Sequence, residues 1–408
     1  MAKQTPFGFS KLAQESLLTQ EKPAKISKKQ QSLQIGLPME RSMQENRVAL
    51  TPDSVGLIVA NGHEIVVETG AGLSSNFSDD EYANAGAKVA YSSEEVFECP
   101  VVLKVEPATI EELDMMKPQS TLISAIHLGT MSSAYLKKIK QKRLTALGFE
   151  LLEDKSGGMP VVRAMSEIAG MNALFIASEY LSNVRNGRGV ILGGITGVAP
   201  TNIVILGAGT VAEYAARVAF ALGARVQIFD NQIYKLRRLK SALGHNIATS
   251  TIDTETLRTA LRSADVVIGA IRPEKGRNRY FVTEEMVGSM KPNSVIVDIT
   301  IDQGGCFETS RPTTHESPTF RKFEVIHYCV PNIPSRVGRT ATTALSNIFT
   351  PIILKAGDHG GVEEMMFMEE WFLKAVYSYK GCLSNEAIAN KFDMEFKDLN
   401  LFAPPSME

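Results

Sequence analysis

From about residue 32 onward, the hydrophobic positions of the chain follow two alternating patterns. Short runs of branched apolar residues, which favour buried strands, are separated by segments whose apolar residues recur every three or four positions, as in amphipathic helices. In the first half, the predicted strands are LQIGLP, HEIVVET, VVLKV, STLISAIH and RLTALGF. Helical patterns such as PDSVGLIVANG and SSAYLKKIKQKR lie among them. Strands separated by helices predict a parallel α/β arrangement.

The same alternation returns in the second half of the chain. A long helical pattern, SEIAGMNALFIASEYLSNV, is predicted to begin at Ser166, whose side chain suits an N-cap. A glycine-rich loop at residues 187–200 follows, and a second α/β block begins at Asn202 with the strands NIVILG, RVQIFD, DVVIGAI, SVIVDIT and FEVIHYCV. This pattern is typical of a doubly wound fold. The C-terminal part is predicted to be mainly helical, with an amphipathic stretch from Met365 to Tyr379.

Composition narrows the class of protein. The chain has 408 residues, 44% hydrophobic and 22% charged, which is enough for two domains with buried cores. Its formal net charge is −2, and the sequence does not suggest the basic face that nucleic-acid binding needs, so no nucleic-acid partner is expected. Four cysteines without a C-x-x-C pair signal neither a zinc site nor a redox motif, and their scarcity fits a reducing, cytoplasmic location. The chain contains no run of about 18 apolar residues, so no membrane segment is predicted.

Residues 1–33 form a polar, lysine-rich N-terminal extension that lacks the apolar core of a signal peptide. A short amphipathic piece surrounds Leu12, Leu17 and Leu18. We interpret the extension as a loosely held tail or a docked helix without a catalytic role. The alternative is an arm that packs on a neighbouring subunit.

The strongest local signal is the segment IVILGAGTVAEYAARVAFALGARVQIFD, a strand, a glycine loop, a helix and a second strand. Gly207 permits the tight turn, and Gly209 has no side chain to block a pyrophosphate. Ala212 replaces the third glycine, where the helix and strand approach closely. Thr210 and Val211 begin the helix, whose N-terminus offers N–H groups and a positive dipole end to phosphates. The segment therefore predicts a dinucleotide site.

Asp230 ends the second strand of this unit, about 20 residues after the glycines, where a carboxylate binds the ribose hydroxyls of NAD. A carboxylate there repels a 2′-phosphate, and the next residue is Asn231 rather than an arginine. NAD is therefore predicted over NADP. The alternative is a tight turn between strand and helix that binds no ligand.

Four further residues are candidates for chemistry, each with a structural alternative. His127 follows the strand LISAI, and an imidazole is the side chain best suited to proton transfer near neutral pH. Asp302 follows a buried strand in VDITIDQGGCF, where an aspartate can also cap a turn. Arg47, in ENRVALTP, could hold a carboxylate by two hydrogen bonds or be a solvated surface residue. Lys104 is a charge inside a β-rich run, which is costly unless it is paired or serves a site.

In order along the chain, these segments resemble the alanine dehydrogenase family, which includes the nucleotide-binding subunit of NAD(P) transhydrogenase. The motifs that carry the resemblance span residues 33–385 and are GLPME...ENRVALTP, GHEIVVETGAG, SAIHL, MPVVRAMSEIAG, GRGVILGG, VILGAGTVAEYAARVA, KPNSVIVDITIDQGGCFETSRPTTH and YCVPNIPSRVGRTATTALSN. The resemblance implies two α/β domains around a cleft. A flavodoxin-like substrate domain would comprise residues 34–165 and 337–408, with a Rossmann NAD domain, 166–336, inserted into it.

The resemblance also implies residue roles. Arg47 matches the arginine that binds the substrate carboxylate, His127 the catalytic histidine, and Asp302 the aspartate of IDQGG. Gly207, Gly209 and Asp230 match the cofactor motif. The further positions that line the cofactor in relatives are Ser166, Lys235, Ile271, Asp302 and Asn332.

The chain departs from the family pattern in two segments, the lysine segment after Leu103 and the loop at residues 272–280. Relatives usually read KVKEP around the second substrate-binding lysine, whereas this chain reads KVEP after Leu103, so one residue and one lysine are missing. Strand side chains alternate, so Lys104 can project into the same cleft, and it is assigned to substrate binding on that basis. The loop RPEKGRNRY at 272–280 is more basic than usual.

The resemblance implies reversible NAD-dependent oxidative deamination of L-alanine to pyruvate and ammonium, by a homo-oligomer that is a hexamer in many relatives. The alternatives are a dehydrogenase of another small amino acid, a soluble nucleotide-binding subunit of NAD(P) transhydrogenase, and a relative that kept the fold without the reaction. The chain runs directly from Asp230 into the helix KLRRLKSALG, without the longer mobile loop expected of a transhydrogenase subunit.

Overall fold

The structure is a computed structural model that describes residues 31–42, 44–127, 131–154, 156–244, 247–271 and 280–402. The expectations for the N-terminal extension therefore lie almost entirely outside the described residues. Most of the basic loop RPEKGRNRY also lies outside them.

In the described part of the chain, short strands alternate with helices, as the hydrophobic patterns predict. The strands are β1 (Gln34–Leu37), β2 (Glu64–Glu68), β3 (Lys88–Ala90), β4 (Val101–Leu103), β5 (Thr121–Ser124), β6 (Thr145–Gly148), β7 (Asn202–Leu206), β8 (Arg225–Phe229), β9 (Ala248–Ser250), β10 (Val266–Gly269), β11 (Val295–Asp298), β12 (Thr319–Lys322), β13 (Val325–Tyr328), β14 (Val376–Tyr379) and β15 (Cys382–Leu383).

Several of the α-helices begin where the sequence supplies a side-chain cap. Thr51, which directly precedes Pro52, accepts a hydrogen bond from the Ser54 N–H, and Asp253 caps its helix in the same way. The helices are α1 (Pro52–Ala60), α2 (Asp79–Asn84), α3 (Ser93–Phe97), α4 (Ile110–Met115), α5 (Ser133–Lys142), α6 (Pro160–Leu181), α7 (Thr210–Ala221), α8 (Ile233–Leu243), α9 (Thr254–Ser263), α10 (Glu284–Gly288), α11 (Gly338–Asp358), α12 (Val362–Met368), α13 (Glu370–Leu373) and α14 (Glu386–Lys391).

The first sheet contains strands from both ends of the chain, in the order β15-β14-β6-β5-β4-β1-β2-β3. Strands β1 to β6 pair in parallel, and β14 runs antiparallel to β6 and to β15. The segment β2-β1-β4-β5-β6 has the flavodoxin-like order, extended at one edge by β3. The strand order reverses between β1 and β4, which is where ligands bind in open α/β sheets.

The second sheet has the order β12-β13-β11-β10-β7-β8-β9, with β12 the antiparallel edge strand. Its strand order reverses between β7 and β10, next to the glycine loop that follows β7. Ile203 and Ile205 of β7 pack into one core, and Val204 and Leu206 pack into another on the opposite face. Helices therefore cover both faces of this sheet, as in a doubly wound Rossmann fold.

Two predictions about helices are wrong. The long helix α6 begins at Pro160 and not at Ser166, because a proline lacks an N–H and its fixed φ suits the first helical turn. The stretch from Met365 to Tyr379 is not one helix. It forms α12 and α13 and then the strand β14, whose residues VYSY pair with β6. Pairing with an existing sheet edge has overridden the helical pattern there.

The helix α6 crosses α7 closely at Gly170. A Cβ atom placed on Gly170 would lie 2.4 Å from the Val211 carbonyl oxygen, so only glycine permits this approach. The crossing fixes α6 against the helix that carries the dinucleotide motif. Within the described ranges, none of the helices is long and apolar enough to span a membrane.

Candidate active site

Three predicted site residues follow neighbouring strands of the first sheet. Arg47 lies in the loop after β1, Lys104 directly follows β4, and His127 lies shortly after β5. Since β1, β4 and β5 are adjacent and parallel, these loops meet at one edge of the sheet, beside the point where the strand order reverses.

Arg47 is buried and held by a carboxylate from its own loop. Its Nε donates to Glu45 Oε1 at 2.7 Å, and its Nη2 donates to Glu45 Oε2 at 2.5 Å. The backbone N–H of Arg47 also donates to Glu45, at 2.8 Å. The remaining nitrogen, Nη1, faces the sulfur of Met165 on α6 at 3.3 Å. The two-point contact fixes the plane of the guanidinium, and Nη1 has a weak sulfur acceptor in place of a carboxylate.

Lys104 is buried between two carboxylates. Its ammonium lies 2.8 Å from Glu40 Oε2 and 3.4 Å from Glu112 Oε2, and the side chain is 2% exposed. Burial alone would lower the pKa of Lys104, but the charges of Glu40 and Glu112 outweigh it and raise the pKa. Lys104 is therefore a charged member of a buried ion-pair network. One of its three N–H donors remains for a further acceptor.

His127 has a left-handed backbone conformation, with φ at 44°, which is uncommon for a residue with a side chain. Its Nδ1 lies 3.4 Å from Glu106 Oε2, and its side chain is 45% exposed. The Glu150 carboxylate accepts hydrogen bonds from the backbone N–H groups of Ile126 and His127. This contact holds the end of the segment and presents the imidazole at the edge of the sheet.

Glu106 connects His127 with the arginine. Its Oε1 lies 3.8 Å from Arg47 Nη2, and its carboxyl group is within hydrogen-bonding reach of Glu45. Burial, followed by the hydrogen bond and charge of Glu45, raises the pKa of Glu106 to about 8. Burial also opposes ionisation of Glu45, but the hydrogen bonds and charge of Arg47 prevail and lower its pKa to about 2. The pair thus keeps one ionised and one protonated carboxyl group near neutral pH.

Asn332 connects this cluster to the second sheet. Its Nδ2 donates to Glu45 Oε2 at 2.7 Å, and its backbone is left-handed, with φ at 58°. Nearby, Ser335 Oγ accepts from the Asn46 N–H at 2.7 Å, and the Ser335 carbonyl accepts from Asn46 Nδ2 at 3.1 Å. The loop that carries Arg47 is therefore hydrogen-bonded to the segment that leads out of the second sheet.

Asp302 lies in a short 3₁₀ turn after β11 and is exposed. The turn is organised by Asp298, whose carboxylate accepts from the Thr300 hydroxyl, the Cys306 N–H and the Ser310 hydroxyl at 2.7 to 3.0 Å. In the described ranges, no hydrogen bond or ion pair joins Asp302 to Arg47. Asp302 thus follows a strand of the second sheet, whereas Arg47 and His127 follow strands of the first.

The glycine loop between β7 and α7 has the geometry of a phosphate-binding turn. Gly207 has φ at 107°, and a Cβ there would lie 2.5 Å from the Ala270 carbonyl oxygen. A Cβ on Gly209 would meet no atom within 4 Å, so open space lies above the loop. Thr210 and Val211 begin α7, whose first N–H groups have no partner within the helix. This space and these donors fit a pyrophosphate.

Asp230 directly follows β8, beside this loop, and is buried. Its Oδ2 accepts from the Ala208 N–H and its Oδ1 from the Gln232 N–H, both at 2.8 Å. Each carboxylate oxygen keeps a lone pair for a further donor such as a ribose hydroxyl. Arg238 of α8, which sequence reasoning missed, donates from Nη2 to the Ala208 carbonyl at 3.2 Å.

Three other predicted cofactor positions lie shortly after β10, on α6 and on α8. Ile271 follows β10, and its backbone N lies 3.1 Å from the Cβ position that Gly207 leaves empty. Ser166 lies one turn before Gly170 on α6, on the face that meets α7. Lys235 lies in the first turn of α8, after Asp230, and is half-buried.

Sequence reasoning missed the carboxylates of the cluster. A signal for two of them exists, because buried charges are stable only when paired, and these two lie near a candidate cation in sequence. Glu45 and Arg47 are two residues apart, as are Lys104 and Glu106. The missed carboxylates are Glu40, Glu45, Glu106 and Glu112.

Two family models match the chain in succession. The model "Alanine dehydrogenase/PNT, N-terminal domain" matches residues 36–169. The model "Alanine dehydrogenase/PNT, C-terminal domain" matches residues 173–386. Together they cover both sheets.

Individual relatives match over nearly their full length. The chain is 38% identical over 369 residues to an alanine dehydrogenase of Mycolicibacterium smegmatis, covering 90% of this chain and 99% of that protein. It is 37% identical over 364 residues to an alanine dehydrogenase of Bacillus subtilis, covering 89% and 95%. A solved L-alanine dehydrogenase structure aligns with a TM-score of 0.83 at 35% identity, covering 88% and 99%. A transhydrogenase structure from Sinorhizobium meliloti, at 22% identity and a TM-score of 0.74, covers 87% and 99% and has the same fold.

Proposed function

The chain belongs to the alanine dehydrogenase/PNT family, and we propose that it catalyses the reversible NAD-dependent oxidative deamination of L-alanine to pyruvate and ammonium. The observation that carries this proposal is the grouping of Arg47 and His127 around Glu106 at one sheet edge. A cation for a carboxylate and an imidazole for proton transfer are the two groups that the reaction of an amino acid requires. The relatives named alanine dehydrogenase support the choice of substrate.

NAD is the proposed cofactor, because the family implies a nicotinamide cofactor and the glycine loop fits a pyrophosphate. Gly209 leaves the space for the phosphates, and the N-terminus of α7 at Thr210 and Val211 supplies donors. Asp230 would accept from the ribose hydroxyls and disfavour a 2′-phosphate. When bound, the nicotinamide accepts the hydride during oxidation and returns it during reduction.

The remaining proposed cofactor contacts belong to both sheets. Asn332 is of particular interest, because it already donates to Glu45 and so joins the cofactor side to the substrate side. Gly207 supports the turn of the loop. The further proposed contacts are Ser166, Lys235, Ile271 and Asp302.

In the proposed mechanism, Arg47 holds the substrate carboxylate through Nη1, the nitrogen that does not donate to Glu45, while Glu45 fixes the guanidinium plane. His127 accepts a proton from the amine or from attacking water during oxidation. In the reverse direction, protonated His127 polarises the pyruvate carbonyl. Asp302 would join this proton transfer from the opposite side, with closure of the two domains bringing it towards His127.

Lys104 is proposed as a second carboxylate contact through its remaining N–H donor. Its burial between Glu40 and Glu112 also supports a purely structural role. This observation keeps a second candidate function open, namely oxidation of another small amino acid whose carboxylate is held by Arg47 alone.

We also propose the domain boundaries that the sequence predicts, a substrate domain of 34–165 and 337–408 and an NAD domain of 166–336. The distribution of strands supports them, because β1 to β6, β14 and β15 form one sheet and β7 to β13 the other. A homo-oligomeric, hexameric assembly and a cytoplasmic location are proposals that rest on the family alone.

NADH formation with a panel of L-amino acids tests the function. We expect alanine to be the preferred substrate, and His127→Ala to lower kcat by roughly 100-fold to 10,000-fold. His359→Ala is the matched control, because His359 pairs with Glu369 away from the cluster and its loss should leave turnover unchanged. If NADH binds but no amino acid is oxidised, the enzymatic proposal is refuted. If glycine, serine or a larger amino acid exceeds alanine, only the substrate is wrong.

A further inference from the structure

Glu45 and Glu106 are two carboxyl groups that meet at a single guanidinium nitrogen. Arg47 Nη2 lies 2.5 Å from Glu45 Oε2 and 3.8 Å from Glu106 Oε1. The two carboxyl groups are also within hydrogen-bonding reach of each other. The proposed function uses Arg47 and His127 but gives no role to this acid pair.

Burial makes two adjacent negative charges costly here. The Glu45 side chain is fully buried and that of Glu106 is 19% exposed, so water screens neither effectively. Two carboxylates that share a desolvated site and a single cation oppose each other's ionisation, because each charge raises the cost of the other. The titratable and charged groups that face Glu106 are Glu40, Glu45, Arg47 and His127.

We propose that Glu45 and Glu106 share one proton, and that this proton keeps Arg47 able to bind the carboxylate of the substrate. The inference rests on the proposed function, in which Arg47 is the carboxylate-binding residue. Glu106 is then a positioning residue, since it acts through Arg47 and not on the reacting atoms.

The charge balance explains the effect. When Glu106 is protonated, the positive charge of Arg47 and the negative charge of Glu45 cancel. The substrate carboxylate then adds one negative charge to a cluster of zero net charge. With Glu106 ionised, the same carboxylate must enter a group that already has an excess negative charge. Binding is then opposed by repulsion in a medium of low dielectric constant. The raised pKa of Glu106, about 8, indicates the pH at which the change occurs.

The proposal predicts a specific pH dependence. The KM for pyruvate should be steady below pH 8 and rise above it as Glu106 loses its proton. If the ionised form does not bind pyruvate, the rise approaches about tenfold for each further pH unit. Pyruvate is the suitable substrate because it does not itself titrate in this range, whereas the amine of an amino acid does.

The experiment measures the pyruvate KM across pH 8 with saturating ammonium and NADH, in the wild type, Glu106→Gln and Glu106→Asp. Glutamine cannot ionise, so E106Q should lack the rise that the wild type shows, while E106D should retain a rise at a shifted pH. Glu98→Gln is the matched control, because Glu98 is exposed and pairs with Lys117 at the surface, and it should behave as the wild type. A rise that persists unchanged in E106Q overturns the proposal.

Infrared spectroscopy of the enzyme without substrate gives a readout that does not depend on turnover. A protonated carboxyl C=O band should be present below pH 8, disappear above it, and be absent throughout in E106Q. Absence of this band in the wild type overturns the proposal even if alanine is oxidised. If the band titrates as expected but no amino acid is oxidised, the shared proton is supported and the proposed function fails.

Discussion

The two glycines of the dinucleotide loop should respond differently to the same substitution. Gly207→Ala and Gly209→Ala each add one methyl group, two residues apart in one loop. At Gly207 the added Cβ would lie 2.5 Å from the Ala270 carbonyl oxygen, on a backbone with φ at 107°. At Gly209 the added Cβ would meet no atom within 4 Å, on an extended backbone with φ at −84°. The first change should affect folding and the second should affect binding.

The magnitudes follow from these contacts. The backbone conformation at Gly207 costs about 1–3 kcal/mol for alanine. The contact with Ala270 adds to this, because the contacted atom is a backbone carbonyl oxygen directly after β10, which cannot move aside as the end of a flexible side chain can. A total of about 3–5 kcal/mol would lower the melting temperature of the NAD domain by roughly 10 °C or more. Gly209→Ala should change the free energy of unfolding by less than about 0.5 kcal/mol.

In Gly209→Ala the methyl group occupies the space proposed for the pyrophosphate. Loss of one or two hydrogen bonds between phosphate and backbone, at about 1 kcal/mol each, would weaken NADH binding by roughly tenfold. Thermal unfolding without cofactor and calorimetric titration with NADH measure the two effects separately. The reasoning is refuted if Gly207→Ala melts like the wild type, or if Gly209→Ala binds NADH with wild-type affinity.

Two substitutions of the buried cations give further predictions. Lys104→Met keeps the volume of the side chain but leaves Glu40 and Glu112 buried without their cation. Urea unfolding should therefore show that the free energy of unfolding falls by about 3–5 kcal/mol. A rise in the KM for alanine beyond that of an equally destabilised variant would identify Lys104 as a substrate contact. Arg47→Lys keeps the charge but cannot form the two-point contact with Glu45, so the KM for alanine and for pyruvate should rise about tenfold or more. An unchanged KM would exclude Arg47 as the carboxylate-binding residue.

The interior strands of both sheets could be predicted because each is buried on both faces and reads as a continuous apolar run. The run NIVIL, for example, became β7, with Ile203 and Val204 packed on opposite faces. The short edge strands β3, β9 and β12 could not be predicted. Three or four residues such as KVA or ATS carry no period of their own, and they become strands only by pairing with a neighbour.

The candidate site was predictable to the extent that its residues follow strand ends. His127 was predicted because the carboxyl edge of a parallel sheet is where ligands bind, and Arg47 because it lies in the ENRVALTP motif. Their partners could not be identified in this way. Asn332 donates to Glu45 across 287 positions of sequence, and only the packing of the two sheets brings them together. The spacing of Glu45 and Arg47 in ENRVALTP indicates that the two charges can pair, but it does not show that Glu45 accepts from two nitrogens of Arg47.

The family pattern predicts a second lysine in the KVEP segment, and both its absence and the acid pair affect the supply of positive charge at the proposed substrate site. Lys104 is already committed to Glu40 and a second buried carboxylate, so it contributes little net positive charge to the cleft. Arg47 is likewise opposed by Glu45, and an ionised Glu106 would leave the site negative before any substrate arrives. On our proposal, a proton on the acid pair compensates for the absent lysine. A carboxylate substrate can then be held by one arginine, but only while that proton is retained.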